Sequence, residues 1–376
     1  MSQSFASADV ATVRDARADD NDALVRLAAS CPMEGDISLC IHREPDFFEL
    51  SRLEGDPWRV GVVDGPDGVP VGCIGVSRRR LHFNGVPRDV AYIGDLKVDP
   101  DHRRRRIAVA LALWAQRVAE ELVGLDGLRI STVLAGNDPI DRGRDAMAAF
   151  GLGLHQAAVV RSHSIPLMGP RRTARFRVTV EHATDAEVPE LVRLWEQVAP
   201  ARAGTPVFDE QTMRAWIDQC PGLDISDYLI ARRDGKVVGF LGLWDQHVLK
   251  QMRVMRYPRS IAALRPVFNA FAPVTRVPRL PGPGGEFRYR TVVNLCVPPA
   301  ETVVLRALLA HANNWLRREG CSFVALGLDR ADPLSGALRG LLAQPTDVNV
   351  MVDHLAKRET APDLGGAPVH FEIATV

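Results

Sequence analysis

What most constrains this chain is that it repeats itself. VRDARADDNDALVRL (residues 13–27) lies against VEHATDAEVPELVRL (residues 180–194), and the offset that superposes their LVRL tetrads also superposes VGCIGV (71–76) on VGFLGL (238–243). Gly72 then matches Gly239, and Gly75 matches Gly242. Two separate segments sharing one offset point to two copies of one fold. A chain of 376 residues has room for two cores at about 100–200 residues per domain. Its 46% apolar and 24% charged content is that of an ordinary globular protein. The expected division is 1–168 and 169–376, joined through SIPLMGPRRTARF (164–176). The second copy carries an insertion around 245–290, read as an irregular loop from its PRLPGPGGE.

Both copies read as the same succession of elements. An opening strand (11–16 and 176–182) leads through an Asp-rich cap into an amphipathic helix. WRVGVV and VGCIGVSRRRL follow as strands joined by the turn-forming DGPDGVP. HFNGVPRDVAYIGDLKV continues as a hairpin around Asn84-Gly85, with Arg78, Arg79 and Arg80 on its exposed stem. The next helix carries Ile107, Leu111, Trp114, Val118 and Leu122 on one stripe, and LRISTVLAG follows as a strand. This order predicts an α/β (α+β) class, with a mixed sheet flanked by helices in each copy.

Composition narrows the partners. Lys plus Arg and Asp plus Glu each number 46, for a formal net charge of zero, which argues against a dedicated nucleic-acid binder. Cys31, Cys40, Cys73, Cys220, Cys296 and Cys321 form no CxxC pair and show no zinc spacing, as buried thiols of a reducing compartment would. His42, His82, His102 and His155 have no metal-ligand spacing either. The N-terminus lacks the apolar core of a signal peptide. The run from Ile107 to Ala115 is far shorter than the roughly 20 residues a bilayer crossing needs. A cytoplasmic protein is expected, with no metal, membrane or nucleic-acid partner; a homo-oligomer is left open.

DLKVDPDHRRRRIAVAL (95–111) sets four cations, Arg103 to Arg106, at the start of a helix. The positive end of the helix dipole disfavours cations there unless an anion joins them. Free amides at a helix start bind phosphates, and guanidinium groups pair with phosphate oxygens in bidentate fashion. A solvated basic face is the plainer alternative. The stretch resembles the acetyl-coenzyme A signature of the GNAT superfamily of N-acetyltransferases: a strand ending L-x-V, a Pro, then R-x-x-G-x-G/A opening a helix. Arg103 falls on the first Arg and Ala108 on the last Gly/Ala, while Ile107 and Leu111 fit the helix start. Arg106 stands where the family has Gly. The order of elements extends the resemblance over nearly the whole chain, as two tandem GNAT-like domains with mostly antiparallel sheets.

The resemblance implies that acetyl-coenzyme A is the cosubstrate. Amides near Arg104, Arg105, Arg106, Ile107 and Ala108 would hold its pyrophosphate. The strand at Leu96, Lys97 and Val98 would pair with its pantetheine arm, and Asn137 would contact it from the end of the later strand. In the second copy, NLCVPP aligns with DLKVDP, and Thr302, Val303, Val304 and Leu305 replace the arginines. That copy is expected to be degenerate and to bind no coenzyme.

Acetyl transfer to an amine needs a base. Asp95, sharing a strand face with Ile93, is expected to be partly desolvated with a raised pKa, or else to be a structural acceptor. Tyr92, on the other face, is a second candidate, to position a water. Glu34 and Asp36 in CPMEGDISL would attract a cationic amine. The family's usual Tyr acid is absent, since DRGRDAMAAFGLGLHQ carries Phe150 instead. The expected function is therefore transfer of acetyl to a primary amine of a small molecule or peptide, with a non-catalytic acyl-coenzyme A sensor as the alternative.

Overall fold

The computed structural model describes residues 11–32, 37–103, 106–135, 155–275, 277–356 and 360–375, apart from the side chains of 273 and 275. In the first part of the chain β1 (Arg14–Asp15), α1 (Asn21–Ala29), β2 (Ser38–His42), α2 (Phe48–Glu54) and β3 (Trp58–Asp64) precede a long hairpin. That hairpin is β4 (Pro70–Phe83) and β5 (Val86–Val98), and it is followed by α3 (Ile107–Val123), β6 (Leu128–Leu134) and β7 (Gln156–Pro166). The later part comprises β8 (Thr179–His182), α4 (Val188–Val198), α5 (Glu210–Gln219), β9 (Tyr228–Arg233), β10 (Lys236–Trp244), β11 (Gln251–Arg256) and α6 (Arg259–Thr275). It closes with β12 (Tyr289–Cys296), α7 (Thr302–Arg318), β13 (Phe323–Asp329) and β14 (Gln344–His354).

The class is the expected one, a mixed and mostly antiparallel sheet flanked by helices. Among the described residues it is a single twelve-stranded sheet, in the order β1-β3-β4-β5-β6-β14-β7-β13-β12-β10-β9-β8. Read from either edge the order is alike, and each side has one parallel pair, β5 with β6 and β12 with β13. At the centre the strands interleave, since β14 lies antiparallel between β6 and β7.

Local chemistry sets the turns. Asn84-Gly85 and Asp234-Gly235 all have positive φ, from +50 to +77, the geometry that closes a two-residue hairpin in step with the strand twist. The stripe Ile107, Leu111, Trp114 and Val118 is buried on Ile74, Val76 and Ala91, each fully covered side chain stabilising the fold by about 2 kcal/mol. A Cβ on Gly72 would stand 2.8 Å from Cγ2 of Ile107, and one on Gly239 would stand 2.8 Å from Cγ1 of Val304. Both aligned glycines thus receive the first turn of a helix on the sheet.

The region 245–290 departs from expectation. It is ordered as β11 and α6 before becoming irregular, and β11 pairs antiparallel with β2 in a separate ribbon, Arg253 opposite Cys40. The Pro/Gly density that suggested a loop belongs to PRLPGPGGE (278–286), where the chain is irregular, whereas β11 is set by a pairing with β2 more than two hundred residues away in sequence.

Candidate active site

Beside β5 the sheet opens. β5 pairs with β4 as far as Val98, opposite Gly72, but with β6 only from Val90 to Ile93. Beyond Ile93 the strands part, although β6 runs on to Leu134. The released edge, which includes Leu96, Lys97 and Val98, leaves backbone groups for another partner. Asp95 marks the opening: its φ is +55, and the β4–β5 register shifts between Cys73 and Gly75, which makes a bulge. Asn294 repeats the device with φ +48 in β12, which pairs with β13 only as far as Thr291. There the chain meets its own free edge. The Asn294 N–H donates to Glu372 (3.0 Å), and the Val297 carbonyl accepts from Arg202 (3.2 Å).

The start of α3 lies beyond the end of β5. A 3-10 turn at Pro100–His102 is capped by Asp99, which accepts from the Asp101 N–H (2.9 Å). Arg106, the residue before the helix, has φ +56, no side chain caps the helix, and its first turn carries no acid. The Ala110 N–H is bonded to the Arg106 carbonyl (3.0 Å), so the amides of Ile107, Ala108 and Val109 precede the intrahelical ladder and call for an outside acceptor. Arg103 and Arg106 are exposed there. Arg104, Arg105 and Asn137 lie outside the described residues, as do Glu34 and Asp36.

Behind the bulge Asp95 is the centre of a charge cluster whose other members, Arg43, Glu54 and Lys250, sequence reading missed. The Asp95 carboxylate accepts from Arg43 Nη1 (2.8 Å) and from the Lys97 ammonium. Burial pushes the Asp95 carboxyl up, but Lys97 and Arg43 outweigh it and hold the group below the usual carboxylate range. This corrects the expected raised pKa. The left-handed turn ends the strand's alternation, so Ile93 stays against the α3 cluster while Asp95 reaches two cations. Arg43 is only 3% exposed; its Nη2 donates to the Phe47 carbonyl (2.6 Å), and its Nε is buried with no partner.

Glu54, the last residue of α2, is 6% exposed. Its carboxyl is pushed up to about 7 by burial and then by the charge of Asp95, against Arg79, Arg43 and Lys97. Arg79 turns inward rather than lying on an exposed stem: its guanidinium sits 3.7 Å from the Tyr92 ring centroid, and its Nε and Nη2 are buried without partners. Tyr92 is 2% exposed and packs against Phe371; burial raises its pKa, so it remains a phenol. It is a buried element of the wall rather than a group facing bulk water.

The end of the chain covers this cluster. Lys250 Nζ and Gln246 Nε2 both donate to the Ala374 carbonyl (2.8 and 2.6 Å), and Arg79 Nη1 reaches Thr375 Oγ1 at 3.4 Å. Burial, then the charge of Arg43, brings the Lys250 ammonium down to about 7. The cluster thus gathers residues from positions 43 to 375. Asp95 and Lys97 stand in the DLKV stretch, but Arg43, Glu54, Gln246 and Lys250 belong to no motif, so no local signal marked them.

Residues 22–140 match the family model described as the acetyltransferase (GNAT) family. Two solved structures overlay nearly the whole chain. One is a GCN5-related glucosamine N-acetyltransferase region of a fungal multi-domain GH3 β-N-acetylglucosaminidase, at a TM-score of 0.59 and 14% identity over 91% of this chain; the match spans 38% of that longer chain. The other is a GCN5-related N-acetyltransferase from Sphaerobacter thermophilus, at a TM-score of 0.58 and 14% identity over 92% of this chain and 95% of that one. At such identity the likeness shows the fold alone. No match to the chain was found among curated proteins.

Proposed function

We propose that this chain, whose residues 22–140 form a GNAT acetyltransferase domain, transfers acetyl from acetyl-coenzyme A to a primary amine of a small molecule or peptide. The observation that carries this reading is one juxtaposition: a strand edge released from its neighbour at Asp95, followed by an uncapped helix start at Arg106. The coenzyme supplies acetyl as a thioester. The residues fit it, because amides of Ile107 and Ala108 lack intrahelical acceptors and exposed Arg103 and Arg106 flank them with positive charge. Arg104 and Arg105 complete the cationic quartet in sequence, and Asn137 keeps the role the resemblance gives it. Backbone groups of Leu96, Lys97 and Val98 would pair with the amides of the pantetheine arm.

Glu54 is the group to take the proton from the amine. Near pH 7 it is poised between its two forms, which suits a general base working at that pH. Asp95 stays ionised and locks Arg43 and Lys97 in place. It is a positioning residue. Glu34 and Asp36, next to β2, would draw a cationic acceptor toward the opening. The same reading takes residues 169–376 as a degenerate second GNAT-like domain. Glu372 and Arg202 meet its free strand edge, and it serves to wall the site with Lys250 and Gln246.

Calorimetric titration with acetyl-coenzyme A, and release of free thiol across an amine panel, test the two halves of this reading. Binding that Arg103→Glu with Arg106→Glu abolishes is expected, together with thiol release for at least one amine. Unchanged affinity in the double variant would remove the phosphate assignment. Tight binding with no thiol release for any amine would make the chain a sensor.

A further inference from the structure

Between Asp245 and Glu286 the sequence contains no Asp or Glu and seven Lys or Arg, in a chain whose formal net charge is zero. Inside this acid-free stretch α6 presents Leu264, Val267, Phe271 and Val274 to solvent, with 65%, 55%, 61% and 81% of their surfaces exposed. Their spacing of three, four and three residues puts them on one stripe of the helix. The helix is held from other positions. Ala272 is buried, and the Asn269 side chain both donates to the Leu280 carbonyl (2.9 Å) and accepts from the Leu280 N–H (2.8 Å). A soluble helix normally turns its apolar stripe inward; α6 turns it outward.

We infer that α6 docks on an anionic lipid surface, its stripe entering the acyl boundary and the surrounding arginines meeting the headgroups. Two requirements select that occupant. The stripe calls for an apolar medium, and exposed Arg259 and Arg279, on either side of it in sequence, call for negative charge. An anionic bilayer supplies both at once. A second copy of the chain would bring two acid-free, cation-rich segments together, against their mutual repulsion. No described helix is long and apolar enough to cross a membrane, and surface docking needs none. The sequence reading looked only for a spanning segment and therefore expected no membrane partner.

The test is cosedimentation of the full chain with phosphatidylcholine vesicles, with and without about 30% phosphatidylserine. Sedimentation with the anionic vesicles alone is expected, reversed as salt rises to roughly 0.5 M. Leu264→Asp with Val267→Asp, and separately Arg259→Glu with Arg279→Glu, should each weaken partition about tenfold or more. Their circular dichroism should match that of the parent, since these side chains are exposed. Equal binding to both vesicle types, no binding to either, or undiminished binding by both variants overturns the proposal. A dimer in light scattering that the Asp variant dissolves would assign the stripe to a second copy instead, and also overturns it.

Discussion

Glu54→Gln is expected to raise stability and remove activity in the same protein. The carboxyl titrates near 7 in the fold against 4.5 in an open chain, and each pH unit of displacement corresponds to about 1.4 kcal/mol, so ionising it inside the fold costs about 3 kcal/mol. A raised carboxyl binds its proton more tightly when folded. Its contribution is therefore fully present below pH 4.5 and is lost as pH rises through about 7. Gln has nearly the same shape and never ionises. In urea unfolding followed by tryptophan fluorescence, parent and variant should match within about 1 kcal/mol at pH 4.5, while at pH 8 the variant should be more stable by about 3 kcal/mol. If Glu54 is also the base, the thiol-release rate should fall by about a hundredfold or more, and the rising limb of the rate profile near pH 7 should disappear. A stability difference that does not change with pH would refute the burial argument. A variant that keeps both rate and limb would refute the base.

Two other substitutions probe the same framework. Arg106 holds φ +56, where a side chain costs roughly 1–2 kcal/mol and Gly gives back about half of the relief as chain entropy; Arg106→Gly should stabilise by about 1 kcal/mol, and Arg106→Val should destabilise by at least about as much, both read by chemical denaturation. Arg43→Ala leaves Asp95 buried with Lys97 as its remaining partner, and should cost about 3 kcal/mol. The depressed Asp95 carboxyl stabilises the fold above the ordinary carboxylate range and loses that contribution as pH falls through its lowered value, so acid unfolding of the Arg43→Ala protein should begin at a higher pH than in the parent.

What could be read from the sequence was whatever depends on neighbours along the chain. The Asn84-Gly85 turn, the α3 stripe, the glycines at 72 and 239 and the cations ahead of Ile107 each express a rule that operates within a few residues. Backbone conformation, helix periodicity and the open amides of a helix start are local properties, and one-dimensional spacing carries them. The site chemistry is not local. Asp95 was legible as a carboxylate beside the opening, yet the sign of its shift depends on Arg43, more than fifty residues earlier in the chain, and on a bulge that turns the side chain away from the face of Ile93. Glu54, Arg79, Lys250 and Thr375 belong to no common stretch and meet only because β11 pairs with β2 and the end of the chain folds over α2. The sequence determined most of the elements and the uncapped helix start at Arg106. Tertiary structure alone decided which carboxyl is free to accept a proton and which apolar stripe faces water, because desolvation and charge pairing depend on distance through space, where chain spacing has no bearing.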